Sequence, residues 1–326
     1  MAVLNAIVQE RYGSPPEVLE LREIDRPATG EDDLLVRVVA AGVDPGVWHT
    51  MAGDPSLMRL MGYGLRAPKE KVRGLDFAGV VETAGANVTG FAAGDEVFGT
   101  CAGSYAEYAR ARARRIAHKP ANVTFEQAAS VPASGYTAVQ ALWDKGEVAA
   151  GESVLVLGAG GGVGTFAVQI AKAWGAHVTG ICSAAKADLV TSLGADQVVD
   201  YAGEDLAAGA RYDVILELAG RRSLSHLRRA LAPGGRLVMV GGGGGGHWLG
   251  GVERSLQAVV TAPFVRQKLK PMLATAREED LETLRQLLEE GKLTPVVDRT
   301  FPISAAAEAV RQIHSGHTRG KIVIEV

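Results

Sequence analysis

Cysteine is scarce: Cys101 and Cys182 are the only two in 326 residues. They lie far apart and fit no metal-binding spacing, so a disulfide framework is not expected and a reducing cytoplasm is the expected setting. Charge of one sign is also missing. The chain carries 34 basic and 37 acidic residues, a formal net charge of −3, which gives no global basic field for nucleic acid. No apolar run approaches the roughly 20 residues that cross a bilayer. The N-terminus shows no basic-then-apolar leader pattern; a strand-like run, Val3 to Val8, begins at once. Membrane and nucleic-acid partners are therefore not expected. Aromatic residues are few, at 6 %, but glycine is abundant, with 41 residues. They cluster in turns and loops, as expected where backbone bends sharply or approaches a ligand. The length suits roughly two domains, and 47 % hydrophobic residues suffice to build real cores.

Residues 1 to about 118 read as short strands broken by Gly, Pro and Asp, among them Leu34 to Val39, Ala78 to Thr83 and Glu96 to Gly99. This spacing predicts a mostly β, barrel-like domain. Thr124 is a candidate N-cap for a helix that follows, with Glu126 and Gln127 in its first turn. From Ser153 the pattern changes. Val154 to Leu157 is a continuous apolar run, as in a strand buried on both faces. A glycine loop follows, then a helix from Val163 to Trp174. The next segments alternate: strand (His177 to Ile181), helix (Ala184 to Leu193), strand (Gln197 to Asp200), strand (Asp213 to Glu217), helix (Ser223 to Leu231) and strand (Arg236 to Val240). That alternation predicts a doubly wound parallel α/β sheet. Residues 252–269 and 278–290 read as helices, with Lys270 to Ala274 as a candidate edge strand. A strand–helix–strand tail over Leu293 to Val326 is predicted to return to the first domain. The expected bounds are 1–120 and 292–326 for that first domain and 121–291 for the inserted α/β domain.

The strongest motif is Gly158-Ala159-Gly160-Gly161-Gly162-Val163-Gly164, after a strand and before a helix. A pyrophosphate has to rest on backbone N–H groups at a helix N-terminus, where free donors and partial positive charge coincide, and side chains would block its approach. The strand–loop–helix–strand context makes this a dinucleotide-binding fingerprint. The end of the second strand selects between dinucleotides. An acid there holds a ribose 2′-hydroxyl; this chain offers Cys182-Ser183-Ala184-Ala185-Lys186 and no acid before Asp188. Lys186 can meet a 2′-phosphate as a point charge, Ser183 can donate a hydrogen bond, and Tyr201 ends the third strand nearby. NADPH is the expected cofactor. Lys186 alone also fits a solvated lysine at a helix start.

Beyond that loop, Gly74-Leu-Asp-Phe-Ala-Gly-Val-Val-Glu, Gly94-Asp-Glu-Val-Phe-Gly, Gly103-Ser-Tyr-Ala-Glu-Tyr and Gly316-His-Thr-Arg-Gly-Lys resemble the medium-chain dehydrogenase/reductase superfamily, in its zinc-free quinone oxidoreductase branch. The resemblance covers nearly the whole chain. It implies a GroES-like catalytic domain built from both termini, a Rossmann domain inserted between them, and a homodimer. Zinc alcohol dehydrogenases of this superfamily carry a Cys and a His at positions that resemble Asp44 and Leu75 here. Leucine cannot ligate zinc and one carboxylate cannot hold a tetrahedral site alone, so no metal is expected.

Without a Lewis acid, quinones and α,β-unsaturated carbonyls are the expected acceptors, because hydride arriving on them spreads charge over a phenolate or enolate that hydrogen-bond donors can stabilise. Relatives show Asn-Pro-x-Asp-Trp-Lys where this chain has Asp44-Pro45-Gly46-Val47-Trp48-His49. His49 is a candidate donor near neutral pH or a capping histidine. Trp48 stacks on a flat acceptor or is plain core. Asp44 contacts nicotinamide or only forms a turn with Pro45. Tyr63, in Met61-Gly-Tyr-Gly, is a candidate to overhang the pocket. The resemblance also places Thr137 near the carboxamide, and Gly241 and Gly242 end a strand at the ligand-binding edge of the sheet. Arg110, Arg112, Arg114 and Arg115 read as a solvated face. Two other readings stand beside the reductase: an NADPH-binding redox sensor with little turnover, and a zinc-type alcohol dehydrogenase.

Overall fold

The computed structural model describes residues 3–54, 56, 59–202, 211–220, 222–240 and 252–326. The chain divides into two units. One comprises residues 1–136, 276–291 and 295–326, the other 137–275 and 292–294.

In chain order the strands of the first unit begin with β1 (Val3–Val8), β2 (Glu20–Asp25), β3 (Asp33–Val43), β4 (Asp76–Ala84), β5 (Glu96–Thr100), β6 (Tyr108–Arg112) and β7 (Ile116–His118). Those of the second unit are β8 (Ser153–Leu157), β9 (His177–Cys182), β10 (Gln197–Asp200), β11 (Tyr212–Glu217), β12 (Leu231–Val240) and β13 (Lys268–Met272). The tail returns β14 (Val297–Pro302) and β15 (Lys321–Glu325) to the first unit. The first unit's main sheet runs β14-β15-β3-β4-β5-β7, with β6 also paired to β3, while β1 and β2 form an antiparallel ribbon. Its core gathers Leu34, Val36, Val38, Phe77, Val97, Tyr105, Ile322 and Ile324. Each such fully buried aliphatic or aromatic side chain stabilises the fold by roughly 1.5–3 kcal/mol. The period of two shows plainly in β6: Ala109 and Ala111 are buried, whereas Arg110 and Arg112 point to solvent. Arg114 and Arg115 are exposed as well, so this basic run is the solvated face read from the sequence. Thr124 caps the helix Phe125–Ala129 reciprocally. Its Oγ1 accepts from Gln127 N at 3.2 Å, and Gln127 Oε1 accepts from Thr124 N at 3.0 Å.

The second unit is a six-stranded sheet in the order β10-β9-β8-β11-β12-β13, parallel throughout. β8 lies inside it, and Val154, Leu155 and Val156 are fully buried, which is why the run carries no polar alternation. The helix Gly162–Ala173 follows and buries Phe166, Ala167, Val168, Ile170 and Ala171. Several expected boundaries shift, and β12 starts at Leu231, five residues before the expected Arg236. The helix expected over 252–269 ends at Thr261, and a 3₁₀ turn, Ala262–Phe264, follows. Pro263 lacks an amide N–H and stops the helix there. The edge strand then starts at Lys268, two residues early, because Leu269 pairs in register with Leu237 and shares its core. Thr137 lies within the helix Pro132–Gln140.

Candidate active site

The glycine loop takes its shape from three distinct needs. Gly158 has φ +88°, which L side chains rarely adopt; its N–H and that of Ala159 both donate to Ile181 O at 2.9 Å, which pins the loop to the end of β9. Gly164 has no room for a side chain, since a Cβ there would stand 2.1 Å from Gly158 O and 2.7 Å from Ala159 Cα. Gly161, as N-cap, has extended backbone, and the helix begins at Gly162 and Val163. The first-turn N–H groups of a helix have no intrahelical acceptor, and with the helix dipole they form an anion cradle. Gly160 completes the loop differently. A Cβ on it would meet the Lys186 stem, at 2.9 Å from Cβ and 2.8 Å from Cδ. Lys186 therefore lies directly over the glycine loop.

Lys186 reaches that place through the turn after β9. Ser183 leaves the strand with extended backbone and caps a short 3₁₀ turn, Ala184–Lys186, in which Lys186 N donates to Ser183 O at 2.9 Å. Burial holds the Cys182 thiol above its usual range, and the nearby Lys186 ammonium opposes that shift. The end of β9 is thus lined by a thiol, a hydroxyl and an ammonium. Tyr201, past the end of β10, is half exposed, and its N–H donates to Cys182 O at 3.0 Å. Ser183, Lys186 and Tyr201 all follow the ends of β9 and β10.

Sequence reasoning passed over the opposite wall. Glu217 ends β11 in register with Leu157, the last residue before the loop. Its Oε1 accepts from Ala219 N at 3.1 Å and Gly220 N at 2.7 Å, and Arg254 stands 3.6 Å from Oε2. Burial pushes its carboxyl above the usual range despite these partners. Gly241 and Gly242 lie outside the described residues.

In the first unit, Asp44 precedes the helix Pro45–Ala52 as its N-cap residue, yet its carboxylate caps no helix N–H. It turns inward, where Oδ1 accepts from Lys321 Nζ and from Ser134 Oγ (3.1 Å). Lys321 Nζ also donates to Ser134 Oγ at 3.1 Å, and stands 3.8 Å from Asp76 Oδ2. The exposures are 5 % for Asp44, 0 % for Asp76 and 1 % for Lys321, so the charges are out of water. Desolvation raises the Asp44 carboxyl, but the Lys321 ammonium and its hydrogen bonds outweigh that and hold it below the usual range. Asp76 goes the other way: desolvation and the Asp44 charge beside it push its carboxyl far up. No local motif singles out Asp76, Ser134 or Lys321 as a group. The available signal was charge type: a lysine opening the apolar run Ile322 to Ile324, and an acid opening the apolar run Phe77 to Val81.

The remaining candidates lie on or near this helix. His49 is exposed, and its Nδ1 pairs with Asp54 O at 2.9 Å. Trp48 packs partly against the core, and His314 stacks on its ring at 3.8 Å between centroids, 15° from parallel; the core reading of Trp48 fits this better than an open stacking platform. Tyr63 is half exposed on the turn Arg59–Tyr63, and its carbonyl accepts from Lys69 N and Tyr12 Oη.

This fold and glycine loop define a nucleotide-binding α/β protein with a second, mostly β unit. Family models agree: an alcohol dehydrogenase GroES-like domain matches residues 30–121, and a zinc-binding dehydrogenase matches residues 193–324. The chain is 30 % identical to the chloroplast envelope quinone oxidoreductase homolog of Arabidopsis thaliana, covering 99 % of this chain and 98 % of that one. It is 32 % identical to the NADPH-dependent alkenal/one oxidoreductase, chloroplastic, of the same plant, over 98 % and 79 %. The solved quinone oxidoreductase of Coxiella burnetii superposes with a TM-score of 0.83 at 29 % identity, covering 100 % of both chains. The chain belongs to the medium-chain dehydrogenase/reductase superfamily, in its quinone oxidoreductase branch. It is an oxidoreductase of a family that uses a nicotinamide cofactor. No helix among the described residues is long and apolar enough to cross a membrane.

Proposed function

We propose that this protein is an NADPH-dependent reductase that transfers hydride to quinones or α,β-unsaturated carbonyl compounds without zinc. The observation that carries the reading is the Lys186 stem lying on Gly160, with no acid between the end of β9 and Asp188. A dinucleotide whose pyrophosphate rests at Gly161, Gly162, Val163 and Gly164 then has its adenosine ribose near an ammonium instead of a carboxylate, which favours a 2′-phosphate. Ser183 and Tyr201 stand beside it, and Thr137, Gly241 and Gly242 remain the candidates for the nicotinamide end. When bound, the coenzyme supplies the hydride.

What supports a zinc-free site is chemistry at Asp44. Its carboxylate is bound by the Lys321 ammonium, a cation that would repel a second one, and Leu75 offers no ligand. Stabilisation of the developing oxyanion then falls to hydrogen-bond donors. His49 is the candidate: with Nδ1–H donating to Asp54 O, Nε2 accepts in the neutral ring and donates only as the imidazolium. The test is NADPH oxidation against a panel of quinones, 2-alkenals, enones and simple ketones, each with and without a chelator. Turnover of conjugated acceptors, unaffected by the chelator, is expected. Tight coenzyme binding with no oxidation by any acceptor would instead favour a sensor, and loss of activity to the chelator would favour a metal enzyme.

A further inference from the structure

The buried cluster of Asp44, Asp76 and Lys321 holds two acids and one base, all beside one another and all out of water. If both acids were ionised the cluster would carry a net negative charge, which a low-dielectric interior penalises heavily. The hydrogen bonds show an imbalance of the same kind. Asp44 Oδ1 takes Lys321 Nζ and Ser134 Oγ, while Oδ2 is buried and receives no donor. The two carboxyl groups flank one ammonium: Lys321 Nζ is hydrogen-bonded to Asp44 Oδ1 and stands 3.8 Å from Asp76 Oδ2. The two oxygens of Asp76 share one donor, Ala133 N, at 3.1 Å each. One proton resolves both problems at once.

We infer that Asp76 is a carboxylic acid in the folded protein, that it donates its proton to the orphan Oδ2 of Asp44, and that this neutral Asp76–Asp44–Lys321 cluster is a positioning device for the helix Pro45–Ala52. Asp44 is the first residue before that helix, so whatever fixes its carboxylate fixes the start of the segment bearing Trp48 and His49. The proton links β4, the helix start and β15 into one unit through Asp76, Asp44 and Lys321. The groups that face it are few. Tyr105 and Tyr136 are phenols that burial holds protonated, and Cys101 is a thiol that burial likewise holds protonated. Thr100 lies opposite Asp76 in the sheet register, Gly42 lies opposite on β3, and Ser134 and the Ala133 N–H come from the helix Pro132–Gln140. Among the described residues Lys321 is the cation in contact with the two acids, and Arg73 and Arg115 act on the surrounding phenols and thiol.

The sign of the pH dependence follows. A proton held more tightly in the folded than in the unfolded chain stabilises fully below the unfolded carboxyl value, about 4. It is lost as pH rises through the higher folded value. Asp76→Asn mimics the protonated acid, because its amide donates to Asp44 Oδ2 at every pH. The experiment is equilibrium urea unfolding of the wild type and Asp76→Asn between pH 5 and 8, without coenzyme. The ratio of wild-type to variant folding constants is expected to fall about tenfold per pH unit until Asp76 gives up its proton. The infrared band of a protonated carboxylic acid should vanish in Asp76→Asn and persist in Glu217→Gln. The pH dependence of KM and kcat for an acceptor should flatten in the same variant. Parallel unfolding curves, an unchanged infrared band, or an Asp76→Asn chain that cannot fold would each overturn the proposal. Because the unfolding and infrared arms need no coenzyme, the proposal can fail while the NADPH reading stands, and the reverse.

Discussion

Lys186 owes its position to Gly160, and the two residues have to be considered together. A methyl on Gly160 would meet Lys186 Cδ at 2.8 Å, which can rotate away, and Lys186 Cβ at 2.9 Å, which moves only with its backbone, so Lys186 and the turn that carries it have to shift. Gly160→Ala is therefore expected to keep the fold and to weaken NADPH binding more than NADH binding. Lys186→Ala should act in the same direction. A hydrogen bond to a charged group is worth roughly 1.5–3 kcal/mol, and partial exposure reduces it, so a loss of about tenfold in NADPH affinity is expected. Binding titrations of both dinucleotides check this; equal losses for the two would place Lys186 outside the 2′-phosphate contact. At this scale the sequence was informative where chemistry is set by residue type, as with Lys186 replacing an acid. For Asp76 and Lys321 it offered only a charge beside an apolar run and not their pairing, because pairing residues 245 positions apart depends on the sheet and not on local spacing.

Elements explain why neighbouring glycines differ in consequence. Gly164 stands where the helix Gly162–Ala173 crosses the loop, and a Cβ there would press on the Gly158 carbonyl and the Ala159 backbone, neither of which can rotate away. Gly164→Ala should destabilise the second unit by about 1–3 kcal/mol and weaken both dinucleotides alike, measured by urea unfolding and titration. The contrast with Gly160→Ala separates loop architecture from ribose recognition. Strands β8 to β11 were legible to within a residue because buried runs such as Val154 to Leu157 have no other explanation, whereas β12 starts five residues before the expected Arg236. The helix expected over 252–269 was not legible in full. Its apolar residues continue past Pro263, and only the pairing of Leu269 with Leu237 shows that they have changed from helix to strand.

The whole molecule adds an exposed face. β13 is an edge strand, and beside it Phe264 and Leu273 leave 85 % and 83 % of their surface exposed. An open edge flanked by apolar side chains invites pairing with another copy. A homodimer is expected by sedimentation velocity, and Phe264→Glu with Leu273→Glu is expected to shift it to monomer; an unchanged dimer would place the interface elsewhere. The family and its two-part architecture were readable from motifs spread along the chain, since each glycine-rich turn marks a fixed point of the fold. Acceptor chemistry was less readable, because it depends on Trp48 and His49, whose surroundings (His314 above one, Asp54 beside the other) come from the folded chain.

If a 2′-phosphate settles beside Lys186 while the pyrophosphate rests on the amides after Leu157, the protein has to prefer the phosphorylated dinucleotide. Calorimetric titration of the purified protein with NADPH and, separately, NADH tests it most directly. Clear preference for NADPH, diminishing as salt screens the ammonium, is the predicted result; equal affinity for the two, or no binding of either, would contradict it.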